Sequence, residues 1–164
     1  EHFIAACNVN DVVPEYLRTE ILQPKETVAT ISNAMDVGDP SNFVRILELF
    51  DKEFNQVKNK LSGYTIDDEE TLKTIKRVEK DYGYVLDPHG AVAFVALEKY
   101  LTENDGKGFF LETAHPVKFP DSVEQATGKS VEIPKSLEEL MKQEKFTTEI
   151  NPQYEELKEF LLKK

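Results

Sequence analysis

The chain has 164 residues, of which 40% are hydrophobic and 10% aromatic, so it can bury a substantial core in one or two compact units. Its 31 acidic and 20 basic residues give a net charge of −11, which argues against binding to the phosphate backbone of nucleic acids. No apolar stretch approaches the roughly 18 residues of a membrane span, and the amino terminus does not resemble a signal peptide. We therefore expect a globular cytoplasmic protein without nucleic-acid or membrane partners.

The single cysteine, Cys7, excludes an internal disulfide and a cysteine metal cluster. It lies in an apolar run, where a small buried side chain is the favoured role and a reactive thiol the alternative. The three histidines show no regular spacing, and we predict no metal site.

The first part of the chain predicts two strands on either side of a short helix. Residues 3–7 are apolar and residues 27–31 are rich in β-branched side chains, so both segments are predicted as strands. Between them, residues 10–19 favour a helix that begins at Asn10 or Asp11.

Two longer helices are predicted next. The first begins at Asp39, which can cap the helix, and at Pro40, which suits its first turn. One apolar stripe predicts that it is continuous, with the members Phe43, Leu47, Phe50, Phe54, Val57 and Leu61. The second covers residues 65–83, with acidic residues at its start and Gly83 as a left-handed stop.

The rest of the chain continues the alternation of helix and strand. A buried helix is predicted from about Gly90, followed by a strand at residues 108–112. Three further helices are predicted at residues 120–128, 136–144 and 151–164. This alternation favours an α/β fold.

The segment "ETAHPVKFP" is a candidate binding site because polar side chains follow the predicted strand. Ligands of open α/β sheets lie beyond the carboxyl ends of strands, where Thr113 and His115 would stand. The structural alternative is that Thr113 caps the strand, His115 is a satisfied and partly buried histidine, and Pro116 turns the chain.

The segment "DPHGAV" is similarly open. Asp87 and Pro88 can start a helix and Gly90 can permit close backbone packing, or His89 can be a hinge or site residue.

No common self-contained catalytic motif is present, but four ordered blocks together resemble one family. They are "FIAACNVNDVVPEYL", "SNAMDVGDPSNFVRILELF", "DPHGAVAF" and "ETAHPVKFP". They resemble threonine synthase, a pyridoxal-phosphate enzyme of fold type II, the tryptophan synthase β-like class. The resemblance covers nearly the whole chain but only the carboxyl-terminal portion of the family.

The resemblance implies that residues 1–164 form an incomplete cofactor-binding α/β domain, a portion of the large domain with helical additions. The complete enzyme would be a carbon–oxygen lyase acting on phosphates that converts O-phosphohomoserine and water into threonine and phosphate. The Schiff-base lysine and the loop that binds the cofactor phosphate would lie upstream, so no catalytic residue is expected in this chain, which should be inactive alone. The alternatives are a threonine-synthase-like phospholyase and a non-catalytic interaction domain, and the coding sequence upstream of Glu1 would discriminate them.

Within that resemblance, Thr113 has a specific expected role. Enzymes of this fold type place a neutral hydroxyl against the pyridine nitrogen of the cofactor, and the threonine of the "TAHP" block corresponds to that group. His115 and Lys118 are candidates for the lining of the pocket. Lys118 is not expected to be the Schiff-base lysine, because the family places that residue in the upstream segment.

Two groups of residues are candidates for binding the substrate. Asn8, Asn10 and Asp11 follow the first strand and could orient the substrate amino acid or tie the domain to the cofactor loop, with helix capping as the alternative. Asn42 and Arg45 lie one helical turn apart at the start of the first long helix. A guanidinium beside a helix start suits a phosphate, and the alternative is a structural ion pair.

Overall fold

The computed structural model describes residues 1–163 and divides the chain into two units, Glu1–Glu132 and Ile133–Lys164. No helix in the described residues is long and apolar enough to cross a membrane. The elements of the first unit are β1 Phe3–Cys7, α1 Val12–Thr19, α2 Phe43–Leu49, α3 Phe54–Lys60, β2 Leu61–Thr65, α4 Asp68–Tyr82, α5 Pro88–Glu103 and α6 Pro120–Thr127. Those of the second unit are α7 Lys135–Met141 and α8 Tyr154–Leu162.

The sheet confirms one predicted strand and adds one that the sequence did not predict. β1 pairs with β2 in parallel, with Phe3 opposite Leu61 and Cys7 opposite Thr65. A parallel pair needs a long crossover, and the segment that contains α1, α2 and α3 provides it. β2 was hidden because its first residue completes the apolar stripe that predicted a helix, and because it is short and contains Gly63.

The prediction of one continuous helix from Asp39 to Leu61 is wrong. The helix is divided into α2 and α3 by a turn in which Asp51 and Lys52 have φ angles of 51° and 61°. The apolar stripe nevertheless persists, because Phe43 from α2 and Val57 from α3 pack into the same core. Periodicity therefore reported burial correctly and missed the interruption.

The predicted strand at residues 27–31 is also wrong, because side chains replace a strand partner. The Val28 N–H donates to Asn10 Oδ1 at 2.8 Å, and the Thr30 N–H donates to Asp36 Oδ2 at 3.0 Å. The segment is a loop whose backbone is held by the buried side chain of Asn10 and the half-buried side chain of Asp36.

The segment predicted as a strand at 108–112 is irregular and pairs with no strand in the described part of the chain. Phe109 and Leu111 are 86% and 70% exposed, whereas Phe110 packs edge-on against Phe94 of α5 at a centroid distance of 5.5 Å. Its alternating burial therefore comes from contact with a helix and not from a sheet.

The remaining helices confirm their predictions. Asp67 caps α4 and Asp87 caps α5 through their side chains, while Gly83 and Gly128 end α4 and α6 in the left-handed conformation. α8 lies within the predicted segment 151–164, and α7 begins at Lys135, one residue before the predicted segment 136–144. The last residue of the final prediction, Lys164, lies outside the described residues.

α5 is the central element of the first unit. It packs against α4 on one side and against the sheet on another. Between α4, α5 and α6, a core cluster contains Ile75, Val78, Leu86, Ala91 and Ala126. A second cluster between the sheet and α5 contains Ile66, Val92 and Val95. The first turn of α5 is therefore held rigidly between the two clusters, and the candidate site is built there.

Candidate functional site

A buried network of polar side chains, which we call the asparagine network, connects the end of β1 to the loop before α2. Asn8 is 1% exposed, and its Nδ2 donates to Asp36 Oδ1 and to Thr30 Oγ1, both at 2.8 Å. Its Oδ1 accepts from both the backbone N–H and the Nδ2 of Asn10, at 2.9 Å each. All the hydrogen-bonding capacity of the Asn8 amide is therefore used within the protein.

Asn10 completes the network because its side-chain amide forms hydrogen bonds with the loop backbone, as a neighbouring strand would. Its Nδ2 donates to the Val28 carbonyl at 2.8 Å, and its Oδ1 accepts from the Val28 N–H at 2.8 Å. Sequence reasoning found both asparagines but did not predict that they bind this loop. Their proposed contact with substrate stays a prediction.

Asp11 precedes α1 without a side-chain cap, so the capping alternative is not observed for it. Its carboxylate accepts from Lys25 Nζ at 2.6 Å and from the Thr65 hydroxyl at 2.9 Å. Burial opposes ionisation, but the hydrogen bonds from Lys25 and Thr65 outweigh it and lower the pKa of Asp11. Asp11 therefore carries a negative charge at neutral pH.

The start of α5 carries a second buried polar group, in which His89 joins two sequence blocks. His89 is 5% exposed, and its Nδ1 lies 2.7 Å from Asp87 Oδ1. Its Nε2 accepts from the Ala34 N–H at 3.1 Å, which places the ring proton on Nδ1. His89 also contacts the ring of Phe119, with centroids 4.8 Å apart. It is a neutral positioning residue with both ring nitrogens occupied.

Glu112 reaches the same place from the segment before Thr113. Its Oε1 accepts from the Asp87 N–H at 3.3 Å, whereas its Oε2 is buried and has no hydrogen-bond partner among the described residues. A Cβ on Gly90 would lie 2.2 Å from that Oε2, so only glycine leaves room for the carboxyl group in this position. We call Asp87, His89, Gly90 and Glu112 the Glu112 cluster.

Charge in the Glu112 cluster is unevenly divided. Burial, and then the neighbouring Asp87, raise the pKa of Glu112 to about 7. Burial also opposes the ionisation of Asp87, but the hydrogen bonds from the His89 ring and the His89 N–H, together with the neighbouring Glu112 carboxyl group, outweigh it and lower the pKa of Asp87. Sequence reasoning missed Glu112; the available signal was an acidic residue at the end of an apolar run, directly before the candidate threonine.

The three predicted residues of the "TAHPVK" segment are exposed, which contradicts a buried role for His115. The Thr113 hydroxyl makes no hydrogen bond with any residue that the structure describes, so it is available to a ligand. His115 caps the short 3₁₀ helix Pro116–Lys118, since its Nδ1 accepts from the Val117 N–H at 3.1 Å. Pro116 turns the chain as predicted.

The two phosphate candidates, Asn42 and Arg45, are exposed at the start of α2. Asn42 makes no side-chain cap, and its backbone carbonyl accepts from the Arg45 N–H at 3.0 Å. Arg45 forms no ion pair within the described residues, so the alternative of a structural ion pair is not observed.

Cys7 lies in β1 as a half-buried side chain, so the prediction of a fully buried one is met only in part. Burial, and then the charge of Asp11, raise the pKa of its thiol to about 11. The thiolate form that reacts is therefore strongly disfavoured.

Comparisons with known proteins agree on one family. Residues 90–161 match the family model described as threonine synthase, C-terminal. The chain is 47% identical over 140 residues to threonine synthase from Escherichia coli strain K12, covering 85% of this chain and 32% of that protein. It is 42% identical over 162 residues to threonine synthase from Buchnera aphidicola, covering 99% of this chain and 37% of that protein.

Solved structures give the same result. The crystal structure of threonine synthase from Escherichia coli matches with a TM-score of 0.84 and 42% identity, covering 98% of this chain and 37% of that chain. The pyridoxal-phosphate-bound threonine synthase from Brucella melitensis matches with a TM-score of 0.81 and 25% identity, covering 98% of this chain and 40% of that chain.

The fold is therefore that of the fold-type-II class of pyridoxal-phosphate enzymes, with few strands and many helices in this portion. The chain belongs to the threonine synthase family, as the four sequence blocks predicted. It spans about a third of the length of these relatives.

Proposed function

We propose that this chain supplies one wall of a threonine synthase active site, in which O-phosphohomoserine and water become threonine and phosphate. Membership in the family supports the reaction, and the Brucella relative, whose structure contains pyridoxal phosphate, supports the cofactor. The chain covers about a third of its relatives, so the proposal concerns a longer protein that contains it. A cytoplasmic location fits this biosynthetic reaction and stays a prediction.

The observation that carries the proposal is the position of Thr113. Its hydroxyl is exposed, uncharged and without a partner in the described residues, while the neighbouring Glu112 is anchored to the first turn of α5. Such a hydroxyl fits the pyridine nitrogen of pyridoxal phosphate, because it forms a hydrogen bond without forcing the nitrogen to be protonated. When bound, the cofactor withdraws electrons from the substrate carbon atoms.

The other parts of the cofactor need groups that this chain is not expected to supply. We propose that the Schiff-base lysine and the phosphate-binding loop come from the remaining two thirds of the protein. His115 and Lys118 follow Thr113 on an exposed segment, and in our proposal they line the pocket without bonding covalently to the cofactor.

We assign the substrate phosphate to Asn42 and Arg45. Both side chains are exposed, and Arg45 lacks a carboxylate partner in the described part of the chain. A guanidinium can make two charge-assisted hydrogen bonds to a phosphate. We assign a different role, that of shaping the site, to Asn8, Asn10 and Asp11. The two asparagines hold the loop that contains Asp36 in place, and this contact joins the "NVND" block to the "SNAMD" block.

The test uses a full-length threonine synthase that contains this chain, with threonine and phosphate measured together. Thr113→Ala should keep the cofactor absorbance and lower kcat about tenfold or more, whereas Thr113→Ser, which retains the hydroxyl, should recover most of it. Arg45→Ala should raise KM for O-phosphohomoserine about tenfold and leave cofactor affinity unchanged, because loss of a charged hydrogen bond costs about 1.5–3 kcal/mol.

Two results would reject parts of the proposal. If the wild type releases no threonine from O-phosphohomoserine, then the assigned reaction is wrong. If Thr113→Ala and Thr113→Ser behave alike and both match the wild type, then Thr113 does not face the pyridine nitrogen.

A further inference from the structure

Glu112 in the first unit has a buried side-chain oxygen, Oε2, for which the described residues offer no hydrogen-bond donor. Oε2 is buried against Gly90, close enough that a Cβ there would collide with it. A buried carboxylate oxygen without a donor is costly, and the only charged neighbour within reach is another carboxylate, Asp87, in the described residues. The arrangement is unfavourable if both groups are ionised.

The groups around Glu112 show which of the two carboxyl groups keeps a negative charge. Asp87 receives hydrogen bonds on Oδ1 from the His89 ring at 2.7 Å and from the His89 N–H at 2.9 Å, whereas Oδ2 has only a 3.4 Å contact from the Gly90 N–H. Tyr84 is the other titratable group near Glu112. It is neutral between pH 6 and pH 8 because a phenol ordinarily has a pKa of about 10, and burial, followed by the charges of Glu112 and Asp87, raises the pKa of Tyr84 further. Asp87 is therefore the anion, with Oδ2 free to accept.

We propose that Glu112 is protonated in the folded protein and donates from Oε2 to the Asp87 carboxylate, so that a shared proton fastens the segment before Thr113 to α5. Oε1 meanwhile accepts from the Asp87 N–H, and the two carboxyl groups are held together at two points. Gly90 is required because a Cβ there would occupy the place of the Glu112 carboxyl.

The consequence is a positioning role for Glu112 that depends on pH. Because the pKa of Glu112 is raised, its proton is retained at mildly acidic pH and lost as the pH rises through about 7. Two adjacent anions then repel each other, and the segment that carries Thr113 is released. The effect of this release on turnover rests on the proposed function, whereas the proton and the contact do not.

The first measurement is a carboxyl-carbon NMR titration of the full-length protein that contains residues 1–164, labelled on the glutamate side chains, without cofactor or substrate. The resonance missing from Glu112→Gln identifies Glu112. We expect a midpoint near 7 in the wild type and a shift toward 4.5 in Asp87→Asn and in Gly90→Ala, which displaces the carboxyl group. A wild-type midpoint near 4.5 would overturn the proposal.

The second measurement is the heteronuclear NOE of the Thr113 and Ala114 amides at pH 6 and pH 8, which reports fast backbone motion. The wild type should be ordered at pH 6 and mobile at pH 8. Glu112→Gln, which donates without titrating, should be ordered at both values, and Glu112→Ala mobile at both. Identical NOE values for the wild type at the two pH values would also overturn the proposal.

Turnover separates this inference from the proposed function. In the full-length enzyme, Glu112→Gln should abolish the loss of kcat that the wild type shows between pH 6 and pH 8. If the NMR results hold and Thr113→Ala leaves kcat unchanged, then the shared proton exists and the assigned role of Thr113 fails.

Discussion

Removal of the Asn8 amide tests whether the asparagine network holds the protein together. Asn8→Ala deletes two donated and two accepted hydrogen bonds at a position that is 1% exposed. A buried donor that loses its acceptor costs about 1–3 kcal/mol, and Asn10 loses the acceptor of two N–H groups. We therefore expect the free energy of unfolding to fall by about 2–4 kcal/mol.

A nearly isosteric change, Asn8→Asp, adds a dependence on pH. It would replace the Nδ2 donor with a carboxylate oxygen about 2.8 Å from Asp36 Oδ1, so two negative charges would meet. The pair would then have a raised pKa in the folded state, which binds more protons than the unfolded state. Relative to Asn8→Ala, this variant should therefore lose stability as the pH rises from 5 to 8.

Urea unfolding followed by circular dichroism measures both effects, with Asn55→Ala as the control. Asn55 is exposed on α3, and its replacement should change the free energy of unfolding by less than about 0.5 kcal/mol. If Asn8→Ala matched that control, or if Asn8→Asp showed no additional loss between pH 5 and pH 8, then the network would not be a structural element.

Two further predictions concern the sheet. Gly63→Ala would place a Cβ 2.7 Å from the Cα of Pro14 in α1. Because the backbone of α1 cannot move aside as a flexible side chain can, this variant should lower the free energy of unfolding by about 1–3 kcal/mol, measured by urea unfolding. An unchanged unfolding midpoint would refute this close packing. With a thiol pKa of about 11 against an ordinary 9.0, Cys7 should react with a thiol reagent about a hundredfold more slowly at pH 8 in the folded chain than in urea, and equal rates would show that the thiol is not buried.

Local signals predicted the helices well, because caps and stops are encoded by neighbouring residues. Asp67 and Gly83 mark α4, and Asp87 marks the start of α5, as the sequence indicated. The strands were less predictable because strand pairing depends on distant residues. β2 forms by pairing with β1, and the paired residues Phe3 and Leu61 are 58 positions apart in the chain. The turn at Asp51 left the apolar period intact, so periodicity could not detect it.

The sequence predicted several residues of the candidate site, but it did not predict their hydrogen-bond partners. The four blocks identified Asn8, His89 and Thr113 as unusual, yet their partners lie elsewhere: Asp36 for Asn8, Ala34 for His89. The sequence shows Glu112 only as an acidic residue that ends an apolar run, whereas its importance comes from its approach to Gly90, which local spacing does not reveal.

The most direct test of the central claim is cofactor binding and phosphate release by residues 1–164 alone, beside a full-length threonine synthase that contains them. We claim that this chain supplies chiefly the wall that faces the pyridine nitrogen. One hydroxyl contact contributes about 0.5–1.5 kcal/mol, whereas micromolar affinity requires about 8 kcal/mol.

We therefore expect that the chain alone shows no specific cofactor absorbance and releases no phosphate from O-phosphohomoserine, while the full-length protein shows both. Saturable cofactor binding with threonine formation by residues 1–164 alone would contradict the claim.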